Sequence, residues 1–185
     1  MQKISIKVAI IGLASIIGTN AVAIENEYIP YVGLNYAYNE SSARNVHSHQ
    51  NSVSAVVGSV YNKYFGTEVF YQQSDKDELG TFNLKSTRFS AFGLDAIAYL
   101  PLGCEGRIAP LATAGIGNYN FKHKFYNSPS IKDSGWGYRF GAGLNYNIDE
   151  KWSVHFIGRY IHTDQIESYD HLSEYTLGFK YIFRK

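Results

Sequence analysis

Hydrophobic and polar residues alternate along most of the chain between Tyr28 and Phe183. The alternation is clearest in GWGYRFGAGLNYN, residues 135–147. Successive side chains of a β-strand point to opposite faces, so this segment predicts a strand with two unlike faces. One face carries glycines around Arg139, and the other is apolar and carries Trp136, Tyr138, Phe140, Ala142, Leu144 and Tyr146.

Similar runs of roughly ten residues recur about eight times. The predicted strands are 31–38, 52–61, 64–73, 86–100, 108–119, 135–147, 152–161 and 174–183. The breaks between them alternate: 62–63, 101–106 and 147–151 are short, whereas 40–50, 74–85, 120–134 and 162–173 are long and polar. An up-and-down barrel with short turns at one end and long loops at the other has this rhythm.

The aromatic residues of the apolar faces favour a membrane barrel over a soluble β-sandwich or lipocalin, in which the apolar face would be the core. They lie near the strand ends, with mostly aliphatic residues between them, and two aromatic girdles around an aliphatic band are typical of a bilayer-spanning barrel. The predicted girdle residues are Tyr61, Phe65, Tyr146, Trp152, Tyr181 and Phe183 toward the short turns, and Tyr38, Tyr71, Tyr138, Tyr160 and Tyr175 toward the long loops.

The N-terminus and the composition refine this prediction. Lys3 and Lys7, the apolar run 8–17 and Ala21-Val22-Ala23 have the order of a secretory signal peptide, so we expect a signal peptide over 1–23 and a barrel domain over 24–185. The 17 basic and 16 acidic residues give a net charge of +1, which is not the footprint of a nucleic-acid-binding protein. Cys104 is the only cysteine, so no intramolecular disulfide is expected.

The polar faces predict the contents of the barrel interior. They carry a nearly balanced set of charged and titratable residues: Glu68, Asp95, Arg139, His155, Arg159, Glu174 and Lys180. Buried charges are tolerated when they are paired and hydrogen-bonded, so we expect an ion-pair network in the lumen. Side chains just fill the interior of a barrel of about eight strands, which favours a plugged structural barrel over an open pore.

Other chemistry has weaker support in the sequence. The Gly115-x-Gly117 and Gly141-x-Gly143 pairs lack the third glycine and the helix of a dinucleotide site, so no cofactor is expected. His47-x-His49, with His123, His162 and His171, falls in the predicted loop half and could bind a metal or titrate. Loop histidines are usually solvated, so no metal site is predicted.

Four segments together resemble the small eight-stranded outer-membrane β-barrel proteins, a group that includes outer-membrane protein A barrels and opacity-like surface antigens. They are the glycine-alternating strands with Ala114-Gly115-Ile116-Gly117 and Phe140-Gly141-Ala142-Gly143-Leu144-Asn145-Tyr146, the segment 158–164 with its Arg159-Tyr160 pair, and the closing 177–183. The resemblance implies an all-β, antiparallel, up-and-down transmembrane barrel in the bacterial outer membrane.

The resemblance also implies partners and a function. The partners are the outer-membrane lipid bilayer with its lipopolysaccharide, the barrel-assembly machinery, and host or matrix molecules bound by the external loops in a surface-antigen or adhesion role. Family members commonly end on an aromatic residue, whereas Arg184-Lys185 follow Phe183 here. No cell-wall tether is implied.

Two alternatives stay open: a narrow channel, and a lipid A deacylase or acyltransferase that would use His162-Thr163-Asp164 with Glu167 or Ser168.

Overall fold

The computed structural model describes residues 28–43, 46–75, 84–102, 107–125, 131–163 and 171–184. These residues form eight antiparallel strands that close into a barrel in chain order. The strands are β1 (Ile29–Ala43), β2 (Val46–Asn62), β3 (Phe65–Ser74), β4 (Leu84–Tyr99), β5 (Ile108–Phe125), β6 (Ile131–Asn147), β7 (Trp152–Thr163) and β8 (His171–Ile182). The predicted fold class is confirmed.

Pairing of the first strand with the last closes the barrel. The β1–β8 register runs from Tyr31 opposite Ile182 to Ser42 opposite His171. Every strand therefore has two neighbours in the body of the barrel, whereas at the loop end β2 continues beyond β3 and β6 continues beyond β7. In the described parts of the chain, no helix has the length and apolar character needed to cross a membrane.

Several strands extend further toward the loop end than the sequence predicted. The predicted long break 40–50 was wrong, because β1 and β2 stay paired as far as Ala43 opposite Val46. The predicted break 120–134 was also too long, since β5 and β6 stay paired as far as His123 opposite Ile131. In these extensions the outward aliphatic residues give way to polar ones such as Asn120 and Lys122, so the pattern of a lipid-facing strand disappears while the backbone pairing continues.

The two faces of the barrel wall have the predicted orientation. The apolar face points outward: Leu34 is 71% exposed and Phe140 is 57% exposed. The face that contains Glu68, Asp95 and Arg139 is buried in the lumen. An apolar belt that runs around all the strands is far larger than the exposed patches of water-soluble proteins, and it fits contact with lipid hydrocarbon.

The lumen also holds large apolar side chains that the sequence interpretation missed. Phe89, Phe121, Ile161 and Leu172 belong to a buried cluster on the long-loop side of the charged residues. A second cluster of Ile97, Leu111 and Ile157 lies toward the short turns. These residues share the inward parity of the polar positions, and a barrel of eight strands has room to pack them together.

The predicted signal peptide over 1–23 and the turn that contains Cys104 fall outside the described residues.

Candidate functional site: a charged layer inside the barrel

Cross-strand register brings the predicted interior charges together at one level of the lumen. Glu68 on β3 lies opposite Asp95 on β4. Asp95 lies opposite Gly115 on β5, and Gly115 lies opposite Arg139 on β6. Two carboxylates on neighbouring strands repel each other, so this arrangement requires cations beside them.

Arg139 forms the shortest ion pair among the lumen charges. Its Nη2 lies 2.6 Å from Oδ2 of Asp95, and both side chains are buried. The guanidinium carbon also lies 3.8 Å from the ring centre of Phe70. Gly115 stands between the two strands that carry the pair, and a Cβ at this position would collide with the carboxylate of Asp95. The glycine thus makes room for the ion pair.

Arg159 on β7 connects the remaining carboxylates. Its Nη1 lies 3.0 Å from Oε1 of Glu174, and its Nη2 lies 3.7 Å from both Oε1 of Glu68 and Oδ2 of Asp95. Glu174 also accepts a hydrogen bond of 2.6 Å from Nε2 of Gln72, across the barrel. One guanidinium therefore contacts three acidic side chains, which lowers the repulsion between the carboxylates of Glu68 and Asp95.

Lys180 completes the layer on the short-turn side. Its Nζ lies 2.9 Å from Oε2 of Glu68, and the hydroxyl of Tyr31 donates to the same oxygen at 3.0 Å. The ammonium also lies 4.5 Å from the ring centre of Tyr31. We call these six side chains the charged layer. It pairs three cations with three anions: Arg139, Arg159 and Lys180 with Glu68, Asp95 and Glu174.

His155, the remaining predicted lumen residue, is buried inside the barrel but stands apart from these bonds. Neither ring nitrogen has a hydrogen-bond partner among the described residues. Its ring lies where a Cβ on Gly178 would be, so its neighbour in the wall is a glycine. Within the described ranges, no group of three or more His, Cys, Asp or Glu side chains could hold a metal ion.

The predicted girdle residues lie on the outer wall of the barrel, the loop-side set several residues inside the strand ends. Toward the short turns, the rings of Trp152 and Tyr181 are 4.9 Å apart, and those of Tyr181 and Phe183 are 5.1 Å apart. Tyr61 packs 5.9 Å from Phe65. The rest are exposed or half-buried on the outward face: Tyr38, Tyr71, Tyr138, Tyr146, Tyr160 and Tyr175.

The geometry is that of a lipid-facing belt around a closed interior. The chain matches the family model described as the outer membrane protein beta-barrel domain over residues 9–183. The chain belongs to this family. It is an outer-membrane β-barrel protein, as the sequence motifs implied.

Solved structures share the fold of this outer-membrane barrel. Neisserial surface protein A is 14% identical, with a TM-score of 0.70 over 82% of this chain and 96% of that one. The attachment invasion locus protein Ail of Yersinia pestis is 16% identical, with a TM-score of 0.62 over 85% of this chain and 99% of that one. No functionally curated protein matches the chain in sequence.

The charged layer separates two different compartments of the barrel interior. On the short-turn side, a cavity of about 450 Å³ opens between residues that include Tyr31, Tyr99, Asn145, Ser153, Lys180 and Arg184. On the long-loop side, Phe89, Phe121, Ile161 and Leu172 lie buried in the lumen. The cavity reaches as far as Lys180, which is bonded to Glu68.

The candidate metal and catalytic residues at the loop end are only partly described. Nδ1 of His49 lies 2.7 Å from the hydroxyl of Tyr38, whereas the side chain of His47 is outside the described residues. His162 is exposed and Thr163 is buried. Asp164, Glu167 and Ser168, which the enzyme alternative requires, also fall outside the described residues.

Sequence reasoning missed four residues that bond to or pack against the charged layer: Tyr31, Phe70, Gln72 and Thr176. Their signal was available, because each has the inward parity of its strand. Phe70 and Gln72, for example, follow Glu68 at intervals of two.

Proposed function

We propose that this outer-membrane barrel is a non-enzymatic surface protein that binds host or matrix molecules through its outer hairpins, on a scaffold held rigid by the charged layer. The observation that carries the proposal is the length of the hairpins at the loop end. The last aliphatic residue on the outward face of β5 is Ile116, yet the strand continues to Phe125. At ~3.3 Å per residue, this extension is roughly 30 Å long.

The extended hairpins favour recognition because their paired strands continue beyond the lipid-facing belt. Loops on a rigid scaffold commonly carry binding function, since they vary without disturbing the fold. The connecting segments 44–45, 76–83, 126–130 and 164–170 all belong to this end of the barrel. The choice of host or matrix molecules also draws on Ail, a protein of this fold that was crystallised with the heparin analogue sucrose octasulfate.

The packing of the lumen supports a structural role for the interior. The charged layer crosses the lumen from β3 to β8, and the buried side chains of Phe89 and Phe121 lie on its long-loop side. An open channel needs a continuous water-filled path, whereas buried ion pairs and packed aromatic rings block one. We therefore expect no steady ion conductance in planar bilayers, and sustained single-channel openings would support the channel alternative.

Cell binding tests the recognition role. Segments 76–83, 126–130 and 164–170 would each be replaced by Gly-Ser linkers of equal length, and bacteria carrying each variant would be scored for binding to host cells and matrix-coated surfaces. We expect at least one replacement to abolish binding. The matched control replaces Asn62-Lys63, which lies at the opposite end of the barrel. Full binding by all loop variants, with normal surface levels, would contradict the proposal.

The proposal also covers removal of the signal peptide and assembly of the barrel in the membrane. Residues 1–23 are removed on export, and 24–185 are inserted by the barrel-assembly machinery with Phe183 near the C-terminus. The intact mass of protein purified from the outer membrane checks the cleavage site. Lipid A extracted from the same cells tests the enzyme alternative, since a deacylase or acyltransferase would change its mass.

A further inference from the structure

Three cations lie side by side on the outer wall, above the lipid-facing belt. Arg88 on β4 is the register partner of Lys122 on β5, and Lys122 is the partner of Lys132 on β6. All three side chains are exposed. They have the outward parity of Phe92 and Trp136, so they face sideways from the barrel rather than into the lumen.

This row lies just above the lipid headgroup layer, within reach of it for long side chains. Phe92, Asn118 and Trp136 are register partners at the upper edge of the apolar belt, and the cations lie four residues further along the same strands. Four residues correspond to ~13 Å along a strand and to about 9–10 Å in height at ~45° tilt. Headgroups occupy ~5–8 Å on each side of the hydrocarbon, and long basic side chains can bend back toward it.

The surface between the aromatic edge and the cations is polar, and the described acidic residue beside it, Asp75, is exposed next to Ser74 and forms no ion pair within 4.0 Å with Arg88. Ser90, Asn120 and Ser134 form the register row directly below the cations. Arg88 donates from Nε to the backbone oxygen of Ser74 at 3.1 Å. Among the described residues, no ion pair within 4.0 Å neutralises any of the three cations.

The opposite side of the barrel has a different charge at the loop end. There Glu40 on β1 lies opposite His49 on β2 and Ser173 on β8. Among the outward side chains that the structure describes at this end, the Lys and Arg residues are therefore confined to the β4–β6 wall. A row of cations without ion-pair partners, just above the headgroups, is suited to an anionic group presented from the side.

We propose that Arg88, Lys122 and Lys132 bind the phosphate groups of lipopolysaccharide in the outer leaflet, with Ser90, Asn120 and Ser134 contacting the sugars that carry them. Guanidinium and ammonium groups form strong charge-assisted hydrogen bonds with phosphate oxygens. The site faces the lipid rather than the external medium, which favours a membrane lipid over a soluble polyanion. It depends on the outer-membrane location and not on recognition by the loops.

Binding of purified protein in detergent micelles to bisphosphorylated lipid A tests the site. The variant is Arg88→Gln combined with Lys122→Gln and Lys132→Gln. We expect its affinity to fall about 10- to 100-fold, the combined effect of removing three cations from a lipid surface. The matched control, Lys63→Gln with Lys151→Gln and Arg184→Gln, removes the same charge from exposed positions at the short-turn end, and it should bind as the wild type does.

Further binding measurements identify the chemistry of the ligand. Wild-type protein should bind dephosphorylated lipid A as weakly as the triple variant binds the phosphorylated form. Equal affinity of the variant and its control, or equal binding of the two lipids, would overturn the proposal. Loss of soluble heparin binding with unchanged lipid A binding would assign the row to a soluble polyanion instead. The Lys122→Gln, Lys132→Gln double variant keeps the Arg88 bond to Ser74, and a weaker effect in the same direction would separate ligand binding from folding.

Discussion

The two faces of the barrel wall are made by the same strands, yet they depend on their residues in different ways. On β6, Arg139 points into the lumen and forms a 2.6 Å ion pair, while its neighbours Tyr138 and Phe140 face outward. The inward position needs one particular charge at one particular place. The outward positions need only a side chain that suits hydrocarbon or its interface.

The difference between the faces has a physical origin. A buried ion requires its own counter-ion within a few ångströms, because the interior offers no water to replace it. Lipid chains are fluid and adapt to many side-chain shapes, so the outer face is constrained by polarity and depth. Substitutions should therefore be specific in their effects inside the barrel and governed by chemical class outside it.

The largest expected effect comes from removing one partner of the shortest ion pair. Arg139→Ala leaves the carboxylate of Asp95 buried with only the 3.7 Å contact to Arg159. We expect the free energy of unfolding to fall by about 3–5 kcal/mol, measured by urea unfolding of the refolded protein in lipid vesicles. Arg184→Ala, at an exposed position after β8, is the control and should change little. An unchanged urea midpoint for Arg139→Ala would show that the charged layer does not stabilise the barrel.

A charge on the lipid face should cost almost as much as losing one in the lumen. Ala142 faces outward near the middle of β6. We expect Ala142→Arg to destabilise the barrel by ~2–4 kcal/mol, the cost of an arginine near the bilayer midplane, in the same urea assay. Ala142→Leu should be tolerated, because it changes the volume of the side chain but keeps it apolar. Equal stability of the two variants would show that this wall does not contact hydrocarbon.

Alanine substitutions of two glycines, one on the inward face and one on the outward face, compare the two faces without any change of charge. A Cβ on Gly115 would collide with the carboxylate of Asp95, whereas a Cβ on Gly158 would lie 3.8 Å from the nearest atom of Tyr175. Gly115→Ala should destabilise by about 1–3 kcal/mol through overpacking, and Gly158→Ala should be near neutral. Thermal loss of the folded band on unboiled gels can rank the two. A reversed order would contradict the proposed close fit inside the lumen.

The smallest effect is expected at the short-turn girdle. Trp152 packs edge-on against Tyr181 with ring centres 4.9 Å apart. Trp152→Leu should lower the free energy of unfolding by about 0.5–1.5 kcal/mol, because it removes an aromatic pair. Trp152→Phe keeps a ring and should recover most of this loss. A loss larger than that of Arg139→Ala would reverse the comparison between the two faces.

Period-two alternation predicted the eight strands because it is a local property of each strand. Extensions such as Asn120 to Phe125 were missed because their outward positions are polar: Asn120 and Lys122 are exposed and Phe121 is buried, the reverse of the lipid-facing pattern, although the backbone stays paired with β6. Phe70 and Ile97 show a related limit. Parity places them inside, but only packing across the closed barrel explains why apolar side chains belong there.

The sequence indicated which charges face the lumen, but it could not indicate which of them pair. Lys180 and Glu68 are 112 positions apart and meet only because β8 and β3 line the same narrow lumen. Such partners depend on the stagger of the strands, which is set jointly by all the hairpins. Strand register also creates the row of Arg88, Lys122 and Lys132, which the β4–β5 and β5–β6 pairings bring side by side.

The most direct test of the central claim is the gel migration of protein extracted from the outer-membrane fraction, with and without boiling. A closed, lipid-embedded barrel should stay folded in detergent and migrate faster unboiled than boiled. We expect this shift for the wild type, and its loss at a lower temperature for Arg139→Ala. Identical mobility of boiled and unboiled wild-type protein, recovered from the soluble fraction, would contradict it.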